Sequence, residues 1–241
     1  MIVIPMAGLS SRFFKAGYTQ PKYMLPAHGK PLFDHAVESF QHYFESQPFL
    51  FICRSDYDTP AFIETRCKAL GIADWQIVIL DRETRGQAET VELGLRQASI
   101  KSGPITIFNI DTFRPNFRFP AFVDQVDGYL EVFKGDGDNW SYARPEAPGS
   151  LKVVETAEKN PISDLCSDGL YYFSDASDFL NAFDAEAKRP EQELKNGELY
   201  VAPLYNLLIQ NGKQINYHLI EREQVIFCGV PSEYDEFLAT E

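Results

Sequence analysis

The sequence predicts an α/β protein with a mostly parallel central sheet, helices on both faces, and a smaller mixed-sheet part. Three observations predict it. The first half alternates short apolar runs with stretches of helical periodicity. Each of those runs is continuously apolar, as in parallel strands covered on both faces. The second half changes to short strand candidates separated by loops rich in Gly, Asp, Pro and Ser.

The elements read in order. Ile2-Val3-Ile4-Pro5 is a buried strand that ends in a turn-rich stretch. Leu32, Ala36, Val37 and Phe40 share a face, so a helix is expected from Leu32 to Phe44. Pro48 to Cys53 is a second strand. Thr59-Pro60 opens a helix, with threonine as N-cap, that closes near Leu70-Gly71. Gln76 to Leu80 is a strand, Gly86 to Ala98 a helix, and Ile105 to Ile110 a fourth strand. Beyond these, Tyr129 to Phe133, Trp140 to Ala143, Leu151 to Glu155 and Leu170 to Phe173 read as short strands. Helices are expected at Asp175 to Ala187 and Leu199 to Gln210, strands at Gln214 to Ile220 and Gln224 to Cys228, and a closing helix at Pro231 to Leu238. No repeat or clean linker interrupts the 241 residues. One domain is expected, with a nucleotide-binding part over about 1–125 and an acceptor-binding part over about 126–241.

Composition narrows the function. The chain carries 22 Lys and Arg against 35 Asp and Glu, a formal charge of −13. Such a surface repels polyanions, so neither nucleic acid nor an anionic membrane is an expected partner. An anionic small substrate would need a local cationic cluster or a bound cation. No window is apolar enough for a membrane span, and the start lacks a signal-peptide pattern, so a cytoplasmic protein is expected. Cys53, Cys67, Cys166 and Cys228 show no metal-ligand spacing and read as reduced, buried thiols.

The strongest signal follows the first strand. Met6-Ala7-Gly8-Leu9-Ser10-Ser11 gives small residues that let backbone N–H groups approach an anion. Arg12 adds a bidentate phosphate donor. Pro21-Lys22 adds a second cation, and Gly29-Lys30-Pro31-Leu32 leads into the helix. A loop of about 25 residues in a compact domain is usually functional. A single such cation would be only solvated; the ordered set is what points to phosphate. The pattern is neither a Walker A loop nor a dinucleotide fingerprint.

These residues resemble the opening of the sugar-phosphate nucleotidylyltransferases, the nucleoside-diphosphate-sugar pyrophosphorylases. The resemblance continues through Thr84-Arg85-Gly86-Gln87-Ala88, Asn109-Ile110-Asp111, Glu158-Lys159 with Gly169 to Phe173, and Gly229-Val230-Pro231. It implies a Rossmann-like nucleotidyltransferase (GT-A-like) fold. It also implies that an acceptor phosphate attacks the α-phosphorus of a nucleoside triphosphate, with pyrophosphate leaving, to make an activated sugar for surface-polysaccharide synthesis. A phosphate nucleophile is already ionised, so positioning and charge neutralisation carry the reaction.

The roles implied are these. Arg12 holds the pyrophosphate and Lys22 neutralises the α-phosphate. Ala7, Gly8, Ser10 and Ser11 line the nucleotide, with Gly86 and Gln87 near its base. Asp111 holds Mg²⁺, while Glu158, Lys159 and Gly169 take a phosphorylated small-molecule acceptor. Assembly as a homo-oligomer is left open by the sequence. The chain ends soon after the closing helix, so no appended domain is expected.

Two departures stand out. Leu9 and Ser10 occupy positions often glycine in the family. Phe227 stands where the family often has a second metal-binding Asp. Either Asp111 and the triphosphate hold the metal with waters, or another carboxylate substitutes, or activity is impaired; Mg²⁺ commonly keeps several waters, which favours the first. Three rival readings remain: a cytidylyltransferase for a phospho-alcohol or phospho-amino acid, a glycosyltransferase using Asp136 and Asp138, and a non-catalytic nucleotide-binding regulator. Asp136-Gly137-Asp138, in a Gly/Asp-rich hairpin, fits a turn far better than a metal motif.

Overall fold

The protein is described by a computed structural model covering residues 1–240, with only the backbone considered at Glu191. Strand β1 (Ile2–Pro5) leads into a short helix α1 (Ser11–Lys15), a two-stranded hairpin of β2 (Pro26–Ala27) and β3 (Lys30–Pro31), and helix α2 (Leu32–Val37). Next come β4 (Phe49–Arg54), α3 (Thr59–Leu70), β5 (Trp75–Leu80), α4 (Gln87–Gln97), β6 (Ile105–Phe108) and β7 (Thr112–Phe113). The remainder holds β8 (Gly128–Lys134), β9 (Ser141–Pro145), β10 (Val153–Glu158) and β11 (Leu165–Phe173). It continues with α5 (Ala176–Glu186), α6 (Leu204–Gln210), β12 (Ile215–Ile220), β13 (Ile226–Phe227) and α7 (Pro231–Leu238).

One sheet runs through both halves in the order β10-β9-β11-β6-β1-β4-β5, with β8 and β12 joined through β11. β6, β1, β4 and β5 are mutually parallel, and β12 is parallel to β8; β11 turns antiparallel to β6 and carries the second half. Alternate residues of each central strand feed opposite faces. Ile2, Ile4, Phe49 and Phe51 enter an aromatic-rich core with α2, α3 and α7. Val3, Leu50 and Ile52 enter a second core with α4, α5 and α6. That double burial is why these strands read as continuous apolar runs. Each fully buried Phe contributes on the order of 1.5–3 kcal/mol. Helix α4 lies close on the sheet because Gly94 has no side chain: a Cβ there would stand 2.2 Å from Ile52 Cδ1.

Several boundaries differ from the sequence reading. The helix expected over 32–44 divides into α2 and a 3-10 stretch, Glu38–Tyr43, with Phe40 outside helical geometry (φ −101°, ψ 20°). Phe40 instead packs edge-on against Phe49 and Phe108. Thr59 is inside α3 rather than its N-cap; its hydroxyl donates to Asp56 O and shares a hydrogen bond with Tyr23 Oη. The long first loop is organised by α1, a 3-10 turn (Lys22–Met24) and the β2–β3 hairpin. Helix α6 begins at Leu204, not Leu199, because 199–200 runs across the loop before α4. Strand β10 begins and ends later than expected, and β11 begins five residues earlier. All four cysteines are free and buried.

Candidate active site

The carboxyl ends of β1 and β6 lie side by side in parallel register, so the loops that follow them meet. After β1, Ala7 is buried while Gly8, Leu9, Ser11 and Arg12 are exposed. Ser10 takes the left-handed conformation (φ 52°, ψ 30°) that glycine would take there, at a cost of about 1–2 kcal/mol. It is held by its side chain, whose Oγ accepts the backbone N–H of Lys22 at 3.1 Å. The two ends of the phosphate-type loop are tied together through that bond. Lys22 Nζ in turn donates to Asp111 Oδ2 at 2.5 Å, with both side chains about one-fifth exposed. Sequence reasoning gave Lys22 and Asp111 to two different groups; they form one ion pair. Such a partly exposed pair contributes only about 1 kcal/mol, so an incoming phosphate or cation can part it. Arg12 projects from α1 and forms no ion pair among the described residues.

A second cluster follows β6. Gln87 opens α4, and its Nε2 donates to Asn109 Oδ1 at 2.5 Å. Asn109 lies against Gly169, where a Cβ would fall 2.2 Å from Asn109 Nδ2 and where φ is +94°. The ladder of β11 with β8 is irregular between Ser167 and Tyr171, which is how a strand accommodates this glycine. The turn before α4 is set by Glu89, which accepts the backbone N–H of Arg85. Gly86 (φ +121°) packs on the backbone of Leu199, and Ala88 N–H donates to Leu199 O at 3.0 Å.

Tyr200, next in the chain, links this segment to the predicted acceptor residues. Lys159 Nζ donates to Tyr200 Oη at 2.7 Å and lies 4.7 Å from the ring centroid. Glu158 accepts from Ser141 Oγ, which also contacts Tyr171 Oη at 3.2 Å. Burial pushes the Glu158 carboxyl above its usual range, against the pull of Ser141 and Lys159. A cavity of about 460 Å³ opens beside these residues, lined in part by Glu158, Asn160, Lys195, Glu198 and Tyr200. A larger one of about 520 Å³, walled by Arg114, Arg118 and His218, includes none of the predicted site residues.

The structure thus brings predicted residues into three groups: Ser10 with Lys22 and Asp111, Gln87 with Gly169 through Asn109, and Glu158 with its chain neighbour Lys159, the first bonded to Ser141 and the second to Tyr200. Asn109, Ser141, Tyr171 and Tyr200 were not singled out as site residues. Asn109 had a signal, its place two residues before Asp111 at a strand end, and Tyr171 lay in the Gly169–Phe173 segment of the resemblance; Ser141 and Tyr200 had none. Asp136 and Asp138 are exposed in the turn between β8 and β9, where Gly137 has φ +101° and Trp140 Nε1 donates to Asp136 O.

No protein-family model matches the chain, and no curated protein matches it. Solved structures do. The nucleoside-diphosphate-sugar pyrophosphorylase from Vibrio cholerae RC9 is 62% identical, with all of both chains covered and a TM-score of 0.96. The chain belongs to the nucleoside-diphosphate-sugar pyrophosphorylase family. Members of that family are nucleotidyltransferases. The Rossmann-like, GT-A-like fold is shared more widely. A putative glucose-1-phosphate thymidylyltransferase from Bacillus anthracis, in complex with sucrose, superposes at TM-score 0.75 and 17% identity, covering 99% of this chain and 93% of its own. A UDP-glucose pyrophosphorylase complexed with UDP-glucose does so at TM-score 0.75 and 16% identity, over 98% and 96%. No helix among the described residues is long and apolar enough to cross a membrane.

Proposed function

We propose that this pyrophosphorylase-family protein joins a nucleoside triphosphate to a sugar 1-phosphate and releases pyrophosphate. The observation that carries the reading is the meeting of Lys22 and Asp111 at the carboxyl ends of β1 and β6, beneath the Ser10 turn. Ligands of open α/β sheets bind at such strand ends. On a protein of charge −13, the site must supply its own positive charge. In this reading Arg12, free of other partners among the described residues, takes the β- and γ-phosphates, and Lys22 leaves Asp111 for the α-phosphate as charge develops there. Ala7, Gly8, Ser10 and Ser11 line the nucleotide, and Gly86 and Gln87 lie near the base. Glu158, Lys159 and Gly169 receive the acceptor.

Asp111 suits Mg²⁺ as a hard oxygen donor, and a cation already rests on it in the form of the Lys22 ammonium. Asp111 would hold the cation, which would supply positive charge against the phosphates of the triphosphate. We assign about 1–125 to the nucleotide and about 126–241 to the acceptor within one domain. The product is read as an activated sugar for surface-polysaccharide assembly in the cytoplasm, on the strength of the family resemblance.

The test is pyrophosphate release with Mg²⁺, each ribonucleoside triphosphate and dTTP, against a panel of sugar 1-phosphates and phospho-alcohols. Release with one triphosphate and one sugar 1-phosphate is expected. Release only with a phospho-alcohol would transfer the assignment to a cytidylyltransferase-type acceptor. A thermal shift with nucleotide but no release from any pair would leave a regulator in place of an enzyme.

A further inference from the structure

Two residues before Gly229, where the family pattern places a second metal-binding Asp, stands Phe227. Its ring packs against Trp140 (centroids 4.8 Å) and Phe133 (5.7 Å), with the Arg222 guanidinium 4.9 Å from its centroid. Cys228 is fully buried, and its sulfur is a soft donor. Neither offers the hard oxygen that a Mg²⁺-type cation takes.

Glu233 does. It lies in the first turn of α7, and its Oε2 accepts the N–H of Gly229 at 2.7 Å and of Val230 at 3.2 Å. Those bonds fold the carboxylate back onto Gly229. Asp111 borders the same glycine and is fixed there by the Cys228 N–H, which donates to its carbonyl at 2.8 Å. A methyl-sized point on Gly229 would be 3.1 Å from Asp111 Oδ2 and 3.5 Å from Glu233 Oε2. Two carboxylates therefore border one small space that a side chain would fill. Lys22 pairs with Asp111, and no cationic side chain pairs with Glu233 among the described residues. A divalent cation in the space beside Gly229 would balance the second charge.

We propose that Glu233 supplies the second carboxylate of a divalent-cation site at Asp111, in place of the aspartate absent at 227, and that Gly229 keeps the space between them open. The proposal rests on the nucleotidyl-transfer reading for its purpose but not for its test. A helix-capping role alone is the competing explanation of Glu233, because a glutamate three residues into a helix often reaches back to the N–H groups at its start.

Binding of Mn²⁺ alone, followed by the electron paramagnetic resonance of the free ion, separates the two. Wild type is expected to take up one Mn²⁺ per chain. Glu233→Gln keeps an oxygen for both N–H bonds but loses the charge; its Mn²⁺ affinity is expected to fall at least about tenfold, with little change in melting temperature. Glu233→Asp keeps the charge but withdraws it by one methylene, and it too is expected to bind more weakly. Wild-type affinity in either folded variant, or no uptake by wild type, would overturn the proposal. In turnover, Glu233→Gln is expected to raise the Mg²⁺ requirement while kcat recovers at saturating Mg²⁺; a lower kcat with unchanged Mg²⁺ dependence would also overturn it. Failure of turnover with every substrate would instead remove the nucleotidyl-transfer reading and leave the Mn²⁺ result standing.

Discussion

Asp168 carries a titratable group that the fold buries almost entirely, at 1% exposure. Its Oδ1 accepts the Leu170 N–H at 3.0 Å, Oδ2 has no donor beside it, and the carboxyl lies within hydrogen-bonding reach of the Glu131 carboxyl. Glu131 is already held by Arg114 Nε and by His218 Nδ1. Two acceptor-only oxygens cannot face each other away from water without a proton between them. Burial first, and the Glu131 charge second, push Asp168 well above the usual carboxylate range. The sign follows. The folded state holds this proton more tightly than the unfolded state, whose aspartate titrates near 3.9. The contribution to stability is complete below about pH 4 and is lost as pH rises from there towards the folded value. Asp168→Asn replaces the shared proton with an amide N–H. Its melting temperature relative to wild type is expected to rise between about pH 5 and about pH 8. Parallel melting curves across that range would contradict the shared proton. Nothing in the sequence marked this residue, since Ser167-Asp168-Gly169 has the composition of a turn.

At the scale of the element, β11 is the strand that most changes the sequence reading. Its second half, Leu170 to Phe173, was legible as an apolar run; its first half was not, because three small or polar residues interrupt it. One of those residues, Gly169, shapes the candidate site. The irregular ladder and the positive φ at Gly169 let Asn109 approach and receive Gln87. Gly169→Ala would combine an unfavourable φ with a Cβ 2.2 Å from Asn109 Nδ2. A loss of about 1–3 kcal/mol in chemical denaturation is expected, with weakened nucleotide binding as Asn109 and Gln87 shift. Unchanged stability and nucleotide affinity would show that Asn109 moves aside freely and does not position Gln87. Elements whose signals were local fared better. Helix α7 spans the expected Pro231–Leu238, opened by a proline in its first turn. The helix expected over 32–44 failed at Phe40, where tertiary packing outweighed periodicity.

On the scale of the whole molecule, the fold class was legible because a parallel sheet buried on both faces leaves a one-dimensional trace, continuous apolar runs alternating with amphipathic ones. The position of the candidate site followed from the same trace, since loops at the carboxyl ends of β1 and β6 must share one edge. What could not be read was which side chains touch across that edge. The Lys22–Asp111 pair joins residues 89 apart in sequence, and the Lys159–Tyr200 bond joins residues 41 apart. No local pattern encodes such distances. The central claim is that phosphate chemistry takes place at Lys22 and Asp111 and not at the Asp136–Asp138 turn. It is tested most directly by comparing pyrophosphate release in Lys22→Ala and Asp138→Ala with wild type at saturating Mg²⁺. Lys22→Ala is expected to lower turnover by roughly 10²–10³-fold with the melting temperature intact, while Asp138→Ala retains wild-type turnover. Wild-type turnover in Lys22→Ala, or its loss in Asp138→Ala, would contradict the assignment.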